Sequence, residues 1–244
     1  MKLEKEKTPM GNGVSTEGTA ALAGSVAVES MPDVQEQIMP NTSPLYLFTK
    51  RLFDILISGL ALIVLSPVML LTALAIKIED PKGLVFYNAP RGGKNGVPFL
   101  CRKYRSMCSN ADEIKASLMA QNEMSGPVFK ITNDPRVTKV GRFIRKTSID
   151  ELPQLFNVFM GQMSLVGPRP LPVAEAEAVE GIYKIREKVK PGITCIWQVS
   201  GRNDIDFDDW MKLDMEYVQK QSLLFDLKLL LMTIPAVLSN RGAS

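Results

Sequence analysis

The chain has 244 residues, a net charge of +3 and no histidine. The lack of histidine excludes Ser-His-Asp and Cys-His catalytic pairs, histidine acid–base chemistry and the usual zinc sites. So small a net charge does not indicate a nucleic-acid partner, and the length allows one domain of ordinary size plus a tail. The three cysteines form no CxxC pattern, which is typical of packing residues in a reducing compartment. Catalysis must therefore use carboxylates, Lys, Arg, Ser, Tyr or a bound metal.

Residues 1–44 are predicted to be a disordered, low-complexity tail. Gly, Ser, Thr, Glu and Pro dominate this segment, and such a composition cannot bury enough apolar surface to offset its ordering entropy. The weakly apolar stretch at 20–28 is not preceded by a compact basic region, so we do not assign a signal peptide. Ordered structure is predicted to begin near Tyr46.

Residues 55–76 carry no charge and are long enough to cross a bilayer core of about 30 Å as a straight helix. Two details favour a re-entrant helix-break-helix instead. Ser66-Pro67 interrupts the run, because proline removes a helical hydrogen bond and bends the helix, while Ser66 can satisfy a backbone group that the break frees. Both flanks are also basic, which favours the cytoplasmic side for each. The residues alone leave the spanning and re-entrant alternatives open.

Short strands are predicted after the membrane segment, separated by glycine turns. Extension through 101–105 would place Lys103 and Arg105 on one face of a strand, where two cations can hold a diphosphate. A solvated basic strand face explains the same pattern equally well. The predicted strands are Leu84–Tyr87, Pro98–Lys103 and Ile193–Ser200.

The segment 134–170 concentrates the residues of a phosphate site. A run of cations precedes the carboxylate pair Asp150-Glu151, and the segment ends on Arg169 between two prolines. Cations bind an anion, and a carboxylate attacks it or holds a metal such as Mg²⁺. The segment therefore predicts phosphate chemistry, and the apolar stretch upstream places it at a membrane. The cations before the pair are Arg136, Lys139, Arg142, Arg145 and Lys146.

Ser148 to Glu151 matches the S-x-x-E capping box and predicts a helix N-terminus, with the helix continuing to Met160. Acidic residues in a first turn are common for structural reasons alone. The functional interpretation uses the same geometry, because a helix N-terminus offers free amides to a phosphate. Together with nearby Arg145 it is expected to keep Asp150 ionised, as a nucleophile must be. Glu151 is then expected to share Mg²⁺ with Asp150.

Two further segments carry weaker signals. In Gly167-Pro168-Arg169-Pro170 the prolines fix the backbone on either side of one guanidinium, which suits a directed phosphate donor. The apolar stretch 223–238 contains Asp226 and Lys228 and is predicted to be a buried helix or one lying in the membrane interface.

The chain resembles the bacterial sugar transferases, the monotopic phosphoglycosyl transferases, over about residues 46–244. The shared motifs occur in order and include the membrane Ser66-Pro67 break. They are KRLFD (50–54), SP (66–67), KYRSM (103–107), DPRVTKVGRFIRKTSIDELPQLFN (134–157), MSLVGPRP (163–170), KPGIT (190–194) and WQVSGRND (197–204). Cys195 is a departure, since many members have glycine after the KPGIT threonine.

The resemblance implies an α+β, helix-rich monotopic membrane protein of the bacterial inner membrane. Its parts would be a re-entrant membrane helix over 45–78 and a catalytic domain over 79–244, with interfacial amphipathic helices, on the cytoplasmic face. It implies transfer of a sugar 1-phosphate from a UDP-sugar to undecaprenyl phosphate, with release of UMP and a requirement for Mg²⁺. Asp150 corresponds to the covalent nucleophile and Glu151 follows it. Matching positions also give Lys103, Arg145, Arg169 and Asp214 as site residues.

The motif set resembles most the galactose phosphotransferases of exopolysaccharide and O-antigen synthesis. Glucose 1-phosphate transfer remains an alternative, because an epimer at one hydroxyl is distinguished by few pocket contacts. Longer relatives carry additional transmembrane helices before this domain, so a short form is expected here. The rival class is a catalytically inactive membrane scaffold for polysaccharide machinery, although Asp150, Glu151, Lys103 and Arg169 are all present. The oligomeric state is left open, a homo-oligomer included.

Overall fold

The computed structural model describes residues 38–119, 131, 134–200 and 205–238. Over these residues the fold is helix-rich α+β, as the sequence predicted. The α-helices are α1 (Pro44–Val64), α2 (Ser66–Glu79), α3 (Ala111–Leu118), α4 (Lys139–Lys146), α5 (Gln154–Met160), α6 (Val173–Ala178), α7 (Ile196–Ser200), α8 (Phe207–Lys220) and α9 (Leu223–Leu238). The strands are β1 (Phe86–Gly92), β2 (Pro98–Tyr104), β3 (Ser164–Val166) and β4 (Gly192–Thr194), and 3-10 turns cover Lys94–Gly96, Ile149–Glu151 and Gly181–Lys188. Of the predicted tail, 1–37 lies outside the described residues.

Helices α1 and α2 form one apolar pair with a bend of 60° between them. Pro67 lies in the first turn of α2, where its missing N–H has no helical partner to lose. Ser66 Oγ donates to the carbonyl oxygen of Ile63 at 2.8 Å, so the serine satisfies a backbone group at the break. Within the described residues, no single helix combines the length and apolarity of a membrane crossing, but the bent pair does when its two arms are taken together.

The polar side chains of α1 face the rest of the protein. Asp54 is buried and accepts hydrogen bonds from Ser164 Oγ at 3.0 Å and from the Leu165 amide at 2.9 Å. Lys50 Nζ lies 2.6 Å from Asp226 Oδ2. The outward surface of the helix pair is apolar instead, whereas a helix at the surface of a water-soluble protein turns its polar face outward. Its exposed side chains include Leu56, Leu60, Ile63, Val64, Leu70, Leu71, Leu74 and Ile78.

Two small sheets support the loops that carry charged residues. β1 and β2 pair antiparallel from Phe86–Tyr104 to Gly92–Pro98, and β3 and β4 pair parallel. β1 therefore begins two residues later than the predicted Leu84–Tyr87 and continues to Gly92. The predicted strand Ile193–Ser200 is wrong from Cys195 onward, because β4 ends at Thr194 and α7 follows. In α7, Trp197 stacks on Trp210 with ring centroids 4.7 Å apart, a tertiary contact that overrides the β-propensity of this stretch.

Buried apolar clusters connect these elements. The largest includes Val158 of α5 and Val166 of β3, which pack with Tyr217 and Val218 of α8. A second cluster surrounds the Trp197–Trp210 stack. The third joins the apolar helix α2 to β2 and α4 through Met69, Ile76, Tyr104 and Ile144. Helix α9 contributes buried Leu229 and Asp226 to one side and exposes Leu224 and Leu231 on the other, so it is buried on one face only.

Candidate active site

The carboxylate pair lies in a tight turn between α4 and α5. Ser148 adopts a left-handed conformation, φ 56° and ψ 15°, and its side chain makes no capping hydrogen bond. Its amide donates to the Arg145 carbonyl at 3.1 Å, so Ser148 ends α4, as left-handed residues often do at helix C-termini. The predicted capping box is therefore wrong. Asp150 and Glu151 occupy a 3-10 turn, and α5 begins only at Gln154.

Glu151 is held by two cations from distant parts of the chain. Lys103 Nζ lies 2.7 Å and Arg169 Nη2 2.8 Å from the same oxygen, Oε1. Both side chains were predicted as phosphate-binding residues, and the structure brings both to the carboxylate pair. Burial alone would raise the pKa of Glu151, but Arg169 and Lys103 together lower it well below its usual range. Glu151 is therefore ionised throughout the neutral pH range.

The turn carrying Arg169 is packed backbone against backbone. A Cβ added at Gly167 would lie 2.4 Å from the carbonyl oxygen of Lys190, and one at Gly192 would lie 2.1 Å from the Gly167 amide nitrogen. Glycine is required at both positions, because the facing backbone lies too close to leave room for a side chain. They hold the Gly-Pro-Arg-Pro segment against β4, from where Arg169 reaches Glu151.

Arg145 is the member of the predicted cation run that reaches the turn. Its Nε donates to Ser106 Oγ at 2.9 Å, and α4 is pressed onto the Ser106 backbone, because a Cβ on Gly141 would lie 2.0 Å from the Ser106 carbonyl oxygen. Arg136 instead makes a buried ion pair with Asp134, 2.6 Å away. The remaining cations of the run are exposed on α4: Lys139, Arg142 and Lys146.

The environment of Asp150 differs from the expected one. Burial raises its pKa, and the adjacent Glu151 carboxylate raises it further, against the opposing charges of Lys103, Arg145 and Arg169. The prediction that Arg145 favours the ionised form has the right sign, but burial and Glu151 outweigh it. The two adjacent carboxylates thus have pKa values shifted in opposite directions, a pattern typical of functional sites.

Arg105 does not form the predicted diphosphate face with Lys103. Its guanidinium pairs with Asp80 just after α2, and it also donates to Ser109 Oγ at 3.0 Å. β2 ends at Tyr104, so strand alternation no longer sets the direction of the next side chain. Lys103 and Arg105 therefore contact different carboxylates, and Arg105 links the end of the helix pair to the sheet.

Asp214 lies one layer behind the carboxylate pair. It is buried in α8 and pairs with Arg186, whose Nη2 lies 2.8 Å from Asp214 Oδ2. The same Nη2 donates to the carbonyl oxygen of Arg169 at 2.6 Å. Burial raises the pKa of Asp214 to about 6, although Arg186 opposes the shift. Sequence reasoning missed Arg186, which stands in an ordinary-looking basic run, 183–190, without a local signal.

The carboxylates fit Mg²⁺ only with help from a ligand. No three of His, Cys, Asp and Glu cluster as a complete metal site in the described part of the chain. Mg²⁺ is usually held by one or two carboxylates, with phosphates and water completing its shell. Glu151 is already engaged by two cations, so Asp150 is the freer oxygen donor. The donor set is therefore suited to Mg²⁺ bound together with a diphosphate.

The chain is similar in sequence to a family of known proteins. The family model described as bacterial sugar transferase matches residues 45–240. An undecaprenyl-phosphate galactose phosphotransferase of Salmonella typhimurium is 45% identical over 200 residues, covering 80% of this chain and 42% of that protein. The exopolysaccharide production protein ExoY of Sinorhizobium fredii is 43% identical, covering 80% of this chain and 88% of that protein.

A third relative, a UDP-glucose:undecaprenyl-phosphate glucose-1-phosphate transferase of Escherichia coli, is 40% identical over 80% of this chain and 41% of its own length. The chain thus spans less than half of the Salmonella and Escherichia proteins. It belongs to the bacterial sugar transferase family, which its sequence motifs resembled.

Proposed function

We propose that this chain transfers a sugar 1-phosphate from a UDP-sugar to undecaprenyl phosphate and releases UMP, as the first membrane step of exopolysaccharide or O-antigen synthesis. The observation that carries the proposal is the turn at Asp150-Glu151, where two adjacent carboxylates with opposite pKa shifts meet Lys103, Arg145 and Arg169. Family membership and the names of the Salmonella and Escherichia relatives supply the reaction class.

Asp150 is the nucleophile in this proposal. Its carboxylate attacks the β-phosphorus of the UDP-sugar, the bond from that phosphorus to the bridging oxygen breaks, and UMP leaves with the electron pair. The sugar phosphate is then an acyl phosphate on Asp150. A phosphate oxygen of undecaprenyl phosphate attacks the same phosphorus, which forms the lipid-linked diphosphate sugar and restores the carboxylate. Two successive displacements give ping-pong kinetics.

Cations must offset the charge that accumulates in this site. A carboxylate, a nucleotide diphosphate and a lipid phosphate repel one another strongly when water is partly excluded. Lys103, Arg145 and Arg169 supply positive charge from three elements around the turn. Bound Mg²⁺, held by Asp150 or Glu151 and substrate oxygens, would add Lewis-acid stabilisation of the phosphates.

The proposal places the chain on the cytoplasmic leaflet of a bacterial inner membrane. Helices α1 and α2 form a re-entrant helix-break-helix, with Ser66 and Pro67 at the break. The 60° bend, the apolar outward surface and the inward polar side chains support this placement. Basic residues on both flanks, such as Arg51 and Lys82, favour one side for both ends. The exposed apolar side of α9 would then lie in the interface.

Galactose 1-phosphate is the proposed cargo, and glucose 1-phosphate is the alternative that the Escherichia relative favours. The purified chain with undecaprenyl phosphate and Mg²⁺ is offered a panel of UDP-sugars, and UMP release is measured. We expect UMP from UDP-galactose and a lipid-linked product, with Asp150→Asn as the inactive control. A folded protein that releases no UMP from any member of the panel would support the scaffold alternative instead.

A further inference from the structure

The backbone of Arg169 is pinned by a buried side chain that the reaction does not use. Pro168 and Pro170 have no N–H and cannot anchor the turn by amide donation. The carbonyl oxygen of Arg169 accepts instead from Nη2 of Arg186 at 2.6 Å, and this donor is charged, which strengthens the bond. Arg186 is only 6% exposed, so water cannot easily replace it.

Arg186 is itself fixed by Asp214. Nε and Nη2 of Arg186 lie 2.9 and 2.8 Å from Oδ2 of Asp214, and Asp214 is 1% exposed. A buried ion pair often contributes little net stability compared with apolar residues of similar volume. The Arg186–Asp214 ion pair matters here for geometry, because Nη2 of Arg186 contacts both the Asp214 carboxylate and the Arg169 carbonyl.

The guanidinium end of Arg169 is held, through two stacked tryptophans, from α8, the helix that carries Asp214. Its Cζ lies 5.8 Å from the centroid of the Trp197 ring, within cation–π range. Trp197 stacks on Trp210 at 4.7 Å. Trp210 and Asp214 are four residues apart on α8 and so lie on one face, one turn from each other. Helix α8 therefore acts on both ends of Arg169.

We propose that Arg186 is a positioning residue: with Asp214 behind it and the Trp197–Trp210 stack beside it, it fixes the direction in which Arg169 presents its guanidinium to Glu151. The catalytic consequence of this positioning role rests on the proposed function. Arg186 and Asp214 touch neither the carboxylate pair nor, in this view, the substrate phosphates, and act only through Arg169.

A double-mutant cycle tests this dependence. Arg186→Lys keeps the charge but loses the Nε bond to Asp214 and the planar guanidinium that sets the direction of the bond to Arg169. We expect kcat/KM for UMP release to fall by roughly 10-fold. In an Arg169→Lys background, Arg186→Lys should lower kcat/KM by less than about 2-fold, because the guanidinium that Arg186 positions has already been removed. If the two single-variant losses in kcat/KM multiply in the double variant, the proposal is overturned and Arg186 is a structural residue. Asp214→Asn replaces Arg186→Lys in the cycle if the latter does not fold.

Tryptophan emission gives a second readout that needs no activity. The chain has two tryptophans, and both belong to the stack beside Arg169. Arg169→Lys should change their emission, and Arg186→Lys should change it in the same direction. Unchanged emission in Arg186→Lys, when Arg169→Lys alters it, would contradict the positioning role. Lys212→Gln removes an exposed ion pair with Asp209 on the same helix and should alter neither emission nor kinetics. A wild-type chain that releases no UMP contradicts the proposed function alone, and the emission comparison then decides the role of Arg186.

Discussion

Lys103 and Arg169 converge on a single atom. The ammonium nitrogen of Lys103 and Nη2 of Arg169 lie 2.7 and 2.8 Å from Oε1 of Glu151, although one residue comes from β2 and the other follows β3. Glu151 therefore holds in place the two cations that we propose bind the substrate phosphates. In that proposal an incoming diphosphate competes with Glu151 for both cations, which are organised in advance for an anion.

Arg169→Lys is expected to reduce kcat/KM for UMP release by 10-fold or more, on the order of at least 1.4 kcal/mol. Lysine supplies a point charge, whereas the guanidinium donates to Glu151, lies against Trp197 and is aimed by the two prolines. Arg142→Lys, at an exposed position on α4, is the matched control and should be near normal. Equal kinetics for both variants would mean that the arginine geometry is structural.

The pH profile should show the raised pKa of Asp150. The attacking group must be ionised, so activity is lost as pH falls through its pKa, and a raised pKa moves that loss above the value near 3.9 of an ordinary aspartate. Glu151→Gln removes a neighbouring negative charge and should therefore lower the pKa of Asp150. The acid limb of the residual UMP release should move to lower pH in Glu151→Gln. An acid limb that stays in place or moves upward would show that another group controls it.

Both ends of the bent helix pair should face the cytoplasm. Lys50 is unsuitable for labelling because it pairs with Asp226, so we choose the exposed positions Ser43 and Lys82. Each becomes cysteine in a variant whose native cysteines are replaced, and intact cells receive an impermeant maleimide. Neither site should react from outside, while both should react after lysis. Labelling of one site alone in intact cells would establish a spanning helix.

Pro67→Leu extends this test to the break itself. The apolar run is long enough to span once the break is removed, so some molecules should expose one end to the external maleimide. The matched control is Val68→Leu, one residue further along the same helix, where no proline is lost.

Lys50 of α1 should contribute strongly to stability through its ion pair with Asp226. Lys50→Met leaves Asp226 buried with only Tyr217 and Tyr46 as hydrogen-bond partners, and removing one partner of a buried ion pair typically costs about 3–5 kcal/mol. The midpoint of thermal unfolding in detergent should fall clearly. Lys82→Met, at an exposed site, should leave the midpoint within error, and an equal effect of both would refute the anchoring role.

The local features of the fold were predictable from the sequence because they depend on neighbours in the chain. The break at Ser66-Pro67, strand β2 and helix α5 follow from proline chemistry and apolar pattern. Ser148 was misread because its conformation is set by the end of α4 rather than by the helix that follows. The strand was wrongly predicted to continue to Ser200, because the Trp197–Trp210 stack that overrides the β-propensity there is a long-range contact.

The residues of the candidate site were named from the sequence, but their partners were not. Asp150, Glu151, Lys103, Arg145 and Arg169, which the family resemblance had named as site residues, meet at one turn. Arg105 was assigned to the wrong contact, because its guanidinium pairs with Asp80 after α2. Arg186 was missed because its two partners are 17 and 28 residues away, and no local pattern records such contacts.

The central claim is a covalent sugar phosphate on Asp150. The purified chain is incubated with UDP-galactose and Mg²⁺ without undecaprenyl phosphate, then quenched, digested and examined by mass spectrometry for the peptide containing Asp150. We expect a sugar-phosphate adduct on Asp150 with an equal amount of UMP, its loss when undecaprenyl phosphate is added, and its absence in Asp150→Asn. An adduct on another residue, or substantial UMP release by Asp150→Asn, would rule out Asp150 as the nucleophile.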